Sequence, residues 1–220
     1  MKCLSQRKKI IRRKASCNFA GTKTKTMKRL NNTKFLILSA GFLAACTACN
    51  WRSGQDADPV KIAENQNETA LNDKGSDLQK DARFLVQAAD INLSEIQLGQ
   101  LAQKKSTTDH VQELGKLMEN EHTKSQEELL SLAAHKSITL PEAPSRKSQD
   151  VYKDLIERTG KDFDKKFCDL MINRHKEAID IFEKASSSCN DADVRTWAID
   201  MLPKLRAHLD HAHACRDKTE

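Results

Sequence analysis

Phe163-Asp-Lys-Lys-Phe167-Cys-Asp-Leu-Met171-Ile-Asn-Arg-His175-Lys-Glu-Ala178-Ile-Asp-Ile-Phe182-Glu-Lys-Ala185 decides the fold class. Apolar side chains recur in it at steps of three and four, which lines them up along one face of an α-helix. One residue, His175, breaks that apolar stripe. The same period extends on both sides. It predicts a helix over Asp162–Ser187 and another over Asp191–Arg216, whose stripe is Val194, Trp197, Met201, Leu205, His208 and Ala212. Upstream it predicts Asp81–Ser106, with Phe84, Ala88, Ile91, Glu95, Leu98 and Ala102 on one face. Thr108–Lys136 follows, with Val111, Leu114, Met118, His122, Ser125, Leu129 and Leu132.

The links between the first and second and between the third and fourth of these helices are short, so each pair forms an antiparallel hairpin. A longer connection over 137–161 carries Pro141, Pro144 and Gly160, and a short helix over Gln149–Arg158. The expected fold is all-α, an antiparallel four-helix bundle over residues 80–216, with a tail over 217–220. An extended helical hairpin that completes the bundle by dimerising is the alternative arrangement.

Each predicted long helix has one ionisable residue in its apolar stripe: Glu95, His122, His175 and His208. Counting from the links at ~1.5 Å per residue puts all four near the middle of the bundle. Glu119 lies three residues before His122, on the same helix face. One reading is a buried hydrogen-bonded polar network. The other is a metal site for Zn, Fe or Cu built from Glu95, Glu119, His122, His175 and His208. A di-iron centre does not fit the pattern, because Ile172 and Leu205 stand three residues before His175 and His208 where a glutamate is needed. In His208-Leu-Asp-His211-Ala-His213, the second and third histidines read as solvated. His110 and His135 fall in no pattern.

The N-terminal part has a different character. Met27-Lys-Arg-Leu-Asn-Asn-Thr-Lys34 is basic, and the apolar run Phe35–Ala45 is too short to span a bilayer. The run ends in Leu43-Ala44-Ala45-Cys46, which resembles a bacterial lipobox and makes Cys46 the expected lipidation site; Cys49 is the weaker choice. Residues 1–45 are the expected leader, with residues 1–26 upstream of a start at Met27 or part of a long basic region. The leader determines how the charge is read. The chain carries 37 basic and 31 acidic residues, net +6; residues 1–45 hold 12 of the basic ones and no acid, leaving 25 against 31, net −6, for the rest. Nucleic acid is therefore not an expected partner. Residues 46–79 are polar and aperiodic, and are expected to be a flexible tether to the membrane.

Cys168 and Cys215 sit at similar heights on the last two long helices, and an oxidising envelope would allow them to form a disulfide. No Ser/His/Asp signature, Gly-rich phosphate loop or Cys-x-x-Cys motif appears in the folded part, so no catalytic residue is assigned.

Several blocks together resemble the bacterial family called domain of unknown function 4142. They are Ala89-Asp-Ile-Asn-Leu-Ser-Glu95-Ile-Gln-Leu-Gly-Gln-Leu-Ala102, Met118-Glu-Asn-Glu-His122-Thr-Lys124, the quoted stretch from Phe163 to Glu183, and Leu202-Pro203 with His208-Leu209. The resemblance spans nearly all of residues 81–214. It implies a ferritin-like helical bundle and an exported, outer-membrane location, and it brings no established catalytic activity. The family usually has Asp-His where this chain has Glu121-His122 and Arg174-His175. The second difference sets a cation beside an imidazole. The function expected is a non-enzymatic, lipid-anchored envelope protein in binding or stress response; the alternative is a metal-binding bundle.

Overall fold

The computed structural model describes residues 57–219, and among them every regular element is helical. The six α-helices are α1 (Pro59–Ala70), α2 (Ser76–Lys105), α3 (Asp109–His135), α4 (Arg146–Ile156), α5 (Gly160–Ser188) and α6 (Ala192–Lys218), with a single 3-10 turn over Asn72–Lys74. The leader, the lipobox with Cys46, and Cys49 lie outside the described residues. None of the described helices is long and apolar enough to cross a membrane.

The four long helices start and stop close to where their stripes do. Asp191 caps α6, its carboxylate accepting from the backbone N–H groups of Asp193 and Val194. Asp81 on α2 accepts from the N–H groups of Asn190 and of Asp191 itself, and Lys136 bonds Asp191 at 2.6 Å. These contacts tie one end of the α5–α6 hairpin to both α2 and α3. The α2–α3 and α5–α6 hairpins carry the densest packing; α2 also packs on α5 and α3 on α6. The two hairpins therefore meet within one chain.

Gly99 on α2 and Gly115 on α3 explain how closely the first hairpin packs. A Cβ on Gly99 would lie 2.4 Å from the Gly115 carbonyl oxygen, and one on Gly115 would lie 2.7 Å from that of Gly99. Only two glycines let the backbones approach this far.

The expected tether needs correction. A flexible tether is expected over residues 46–79, yet among the described residues α1 occupies Pro59–Ala70 and α2 begins at Ser76. Asp58 caps α1 by accepting from Val60 N–H at 3.0 Å, and Pro59 opens its first turn. The helix is held by an amide clasp: Asn67 Nδ2 donates to the Thr139 carbonyl at 2.8 Å, and Thr139 N–H donates to Asn67 Oδ1 at 2.7 Å. Ala63 and Leu71 are buried beside it. A polar segment folds here because its partner is 72 residues away in sequence.

The core divides into two apolar clusters. One gathers Phe84, Leu85, Leu129, Phe182, Val194 and Met201; the other gathers Leu98, Met118, Phe163, Phe167, Met171 and Ala212. On every long helix the chain passes from one cluster to the other through a polar residue. Asn92 and Glu95 do so on α2, His122, Ser125 and Gln126 on α3, His175 on α5 and His208 on α6, all of them buried.

Candidate functional site

The polar layer brings three of the sequence-predicted residues together. His122, His175 and His208 have ring centroids 5.4–5.7 Å apart, and each ring offers a nitrogen within 4.8 Å of the other two. They arrive from three helices, α3, α5 and α6, and are 1–5 % exposed.

The outer nitrogens of two rings are committed. His122 Nδ1 lies 3.0 Å from Asn92 Oδ1, and Asn92 Nδ2 donates in turn to Gln126 Oε1 at 3.3 Å. That second bond orients the Asn92 amide with its oxygen toward the imidazole. A carbonyl oxygen only accepts, so the proton of the neutral His122 ring sits on Nδ1 and its Nε2 carries a lone pair. His175 Nδ1 lies 2.8 Å from the Met171 carbonyl oxygen, which fixes the same tautomer in the neutral ring. His122 Nε2, His175 Nε2 and His208 Nδ1 are buried and have no hydrogen-bond partner among the described residues.

The electrostatics of the layer keep protons away. Burial, the two other histidines and the Arg174 guanidinium push His122 well below the usual imidazole range. Burial above all, with His175 next, brings His208 down to about 4. At neutral pH these two rings present lone pairs rather than charges.

The predicted carboxylates take other partners. Glu95 is 1 % exposed and is paired through Oε1 with Arg174 Nε on α5 at 2.5 Å; Oε2 is buried without a partner. Glu119 accepts from Gln100 Nε2 at 2.8 Å and Gln103 Nε2 at 2.7 Å, both on α2, and these amides hold its carboxyl below the usual range. Neither carboxylate belongs to the group of three donors, so the five-residue ligand set expected from the sequence contracts to the three histidines. The i, i+3 spacing puts Glu119 on the same side of α3 as His122, but its side chain turns to α2.

Sequence reasoning missed Asn92 and Gln126, and it set the Arg174 cation beside His175 without its pairing to Glu95. Asn92 carried a usable signal, since it stands three residues before Glu95 and so shares its helix face. Cys168 and Cys215, the pair expected to be able to form a disulfide, have Sγ atoms 2.7 Å apart and are free thiols in this structure; both are buried.

A family model described as Domain of unknown function (DUF4142) matches residues 64–215. No curated protein and no solved structure matches the chain. The match covers most of the chain and includes all three histidines, and the chain belongs to this family.

Proposed function

We propose that this chain binds one transition-metal ion through His122, His175 and His208, within a ferritin-like bundle of the four long helices. The observation that carries the reading is the set of three partnerless ring nitrogens, buried between two apolar clusters. A buried polar atom without a partner costs roughly 1–3 kcal/mol. Three in one place are hard to account for as a structural network, because a network satisfies its members.

Three imidazole nitrogens suit a borderline metal such as Zn2+ or copper. Iron is less suited, since neither nearby carboxylate joins the three histidine nitrogens. Ligands at ~2.0–2.1 Å from an ion stand roughly 3.3–3.6 Å from one another. From separations within 4.8 Å, the nitrogens would approach one another by up to about 1.5 Å to reach this spacing. Three protein ligands leave a tetrahedral position open for water or an anion. The lowered proton affinity of His122 and His208 favours binding at neutral pH, because no proton has to be displaced from either ring first.

The leader supports a location. A lipobox ending at Cys46 would fix the chain to the bacterial envelope, with the outer membrane facing the periplasm as the proposed site. The proposed role is binding or stress response.

The test is elemental analysis of the purified full chain together with titration by Zn2+ and Cu+, beside a His122→Ala/His175→Ala double variant. The reading expects near one ion per chain, lost in the variant. A chain that takes up neither ion, with a variant that only loses stability, would assign the histidines to a structural role.

A further inference from the structure

A second pair of reactive groups lies two turns along the helices that carry His175 and His208. Cys168 precedes His175 by seven residues on α5, and Cys215 follows His208 by seven on α6. Two turns of helix return each cysteine to the face of its histidine. Their Sγ atoms are 2.7 Å apart, and the two thiols are 0 % and 4 % exposed. Sulfurs this close need only a small movement to reach the ~2.05 Å of a disulfide bond.

We propose that Cys168 and Cys215 form a reversible dithiol–disulfide couple that staples α5 to the C-terminal end of α6. The cross-link closes a span of 47 residues that includes the whole turn between the two helices. It stands independently of the metal reading.

The two sulfurs differ in role. The Cys215 thiol is shifted toward its thiolate by a hydrogen bond from Cys168, whereas that bond and burial push the Cys168 thiol up. Cys215 also lies one turn from the end of α6, where a helix opens most readily. It is therefore the attacking sulfur. Its thiolate attacks one sulfur of a disulfide oxidant, either a small-molecule disulfide or a protein disulfide, and expels the first thiolate. Cys168 then gives up its proton and attacks Cys215 Sγ in the mixed disulfide, expelling the second. Two protein thiols and one oxidant disulfide become one protein disulfide and two oxidant thiols, with two electrons passed to the oxidant. The third described thiol, Cys189, is separate: burial and the Asp81 carboxylate push it up to about 12.

The experiment incubates the full chain with oxidised glutathione, then denatures, alkylates and maps the peptides by mass spectrometry. The expected result is a linked peptide joining Cys168 to Cys215, released by dithiothreitol. The thermal midpoint should rise by about 8–16 °C on oxidation, as closing a loop of this length implies. Cys168→Ser and Cys215→Ser should fold with unchanged circular dichroism and show no oxidation-dependent shift. Full alkylation of both residues after oxidation, or a dominant link from either one to Cys189, would overturn the proposal. Measuring metal content on the same oxidised and reduced samples keeps a failure of the histidine site distinct from a failure of the cross-link.

Discussion

Asn92 Oδ1 and His122 Nδ1 lie 3.0 Å apart in the buried layer, and this contact decides which imidazole nitrogen faces the other two histidines. Outer partners of this kind orient metal-binding histidines and set their tautomer. Asn92→Leu removes the acceptor and keeps the volume apolar. The expected outcome is a folded protein whose Zn2+ affinity falls by roughly 10–100-fold, read by competition with a chelating dye. An unchanged affinity would mean that the His122 tautomer does not matter to binding.

The lowered proton affinity of His122 and His208 makes stability depend on pH. In the unfolded chain a histidine titrates near 6.5, while His208 in the folded chain titrates at about 4. Between these values the unfolded state holds the extra proton, so the stabilisation is complete above about pH 6.5 and is lost as pH falls toward 4. His208 alone contributes about 3 kcal/mol over that window, and His122 acts in the same direction. Urea unfolding midpoints measured at pH 7 and at pH 4.5 should differ accordingly. His208→Phe should flatten much of the slope.

Glu95 and Arg174 form an asymmetric pair: the carboxylate is almost wholly buried, and the guanidinium side chain is 17 % exposed. Removing the cation strands a charge in the core, whereas removing the anion leaves a cation that still reaches water. Arg174→Met is expected to cost ~3–5 kcal/mol, and Glu95→Leu distinctly less. The double substitution should recover most of the loss. A double-mutant cycle from chemical denaturation checks this, and equal single costs would contradict the asymmetry.

Gly99→Ala puts a methyl group 2.4 Å from the Gly115 carbonyl oxygen and 2.9 Å from the Glu119 backbone nitrogen. Both neighbours are backbone, so neither can turn aside and the α2–α3 spacing has to widen. The expected cost is at least the ~1–3 kcal/mol of ordinary overpacking. The same widening moves Asn92 away from His122, so metal affinity should drop along with the thermal midpoint. Loss of stability with full affinity would show that the glycine contact and the histidine site are independent.

The long helices were legible in the sequence because burial repeats along one face, and each residue that broke a stripe marked the polar layer. Glu95, His122, His175 and His208 all proved buried for that reason. The pairing of Glu95 with Arg174 was not legible, since it joins residues 79 apart and a lone arginine in a helix reads as solvated. Asn92 and Gln126 were missed in the same way: a polar residue in an amphipathic helix is by default a surface residue. Helix α1 was missed because its composition is polar and its main fastening is a pair of side-chain bonds to a distant loop. Its start was nevertheless written in Asp58-Pro59, a cap followed by the residue that best begins a helix. Composition outweighed that local signal.

The Asn67–Thr139 clasp also has a mechanical meaning. Any tension applied along the chain from the N-terminal side reaches α1 before it reaches the long helices. Helix α1 buries little besides Ala63, Asn67 and the adjoining Leu71, so the Arg146 N–H bond to Asp58 Oδ2, the two clasp bonds and a small apolar contact bear the load first. Such a contact peels before the interlocked hairpins yield. Helix α1 would thus act as a shear pin, giving up slack while the histidine layer behind it stays in register.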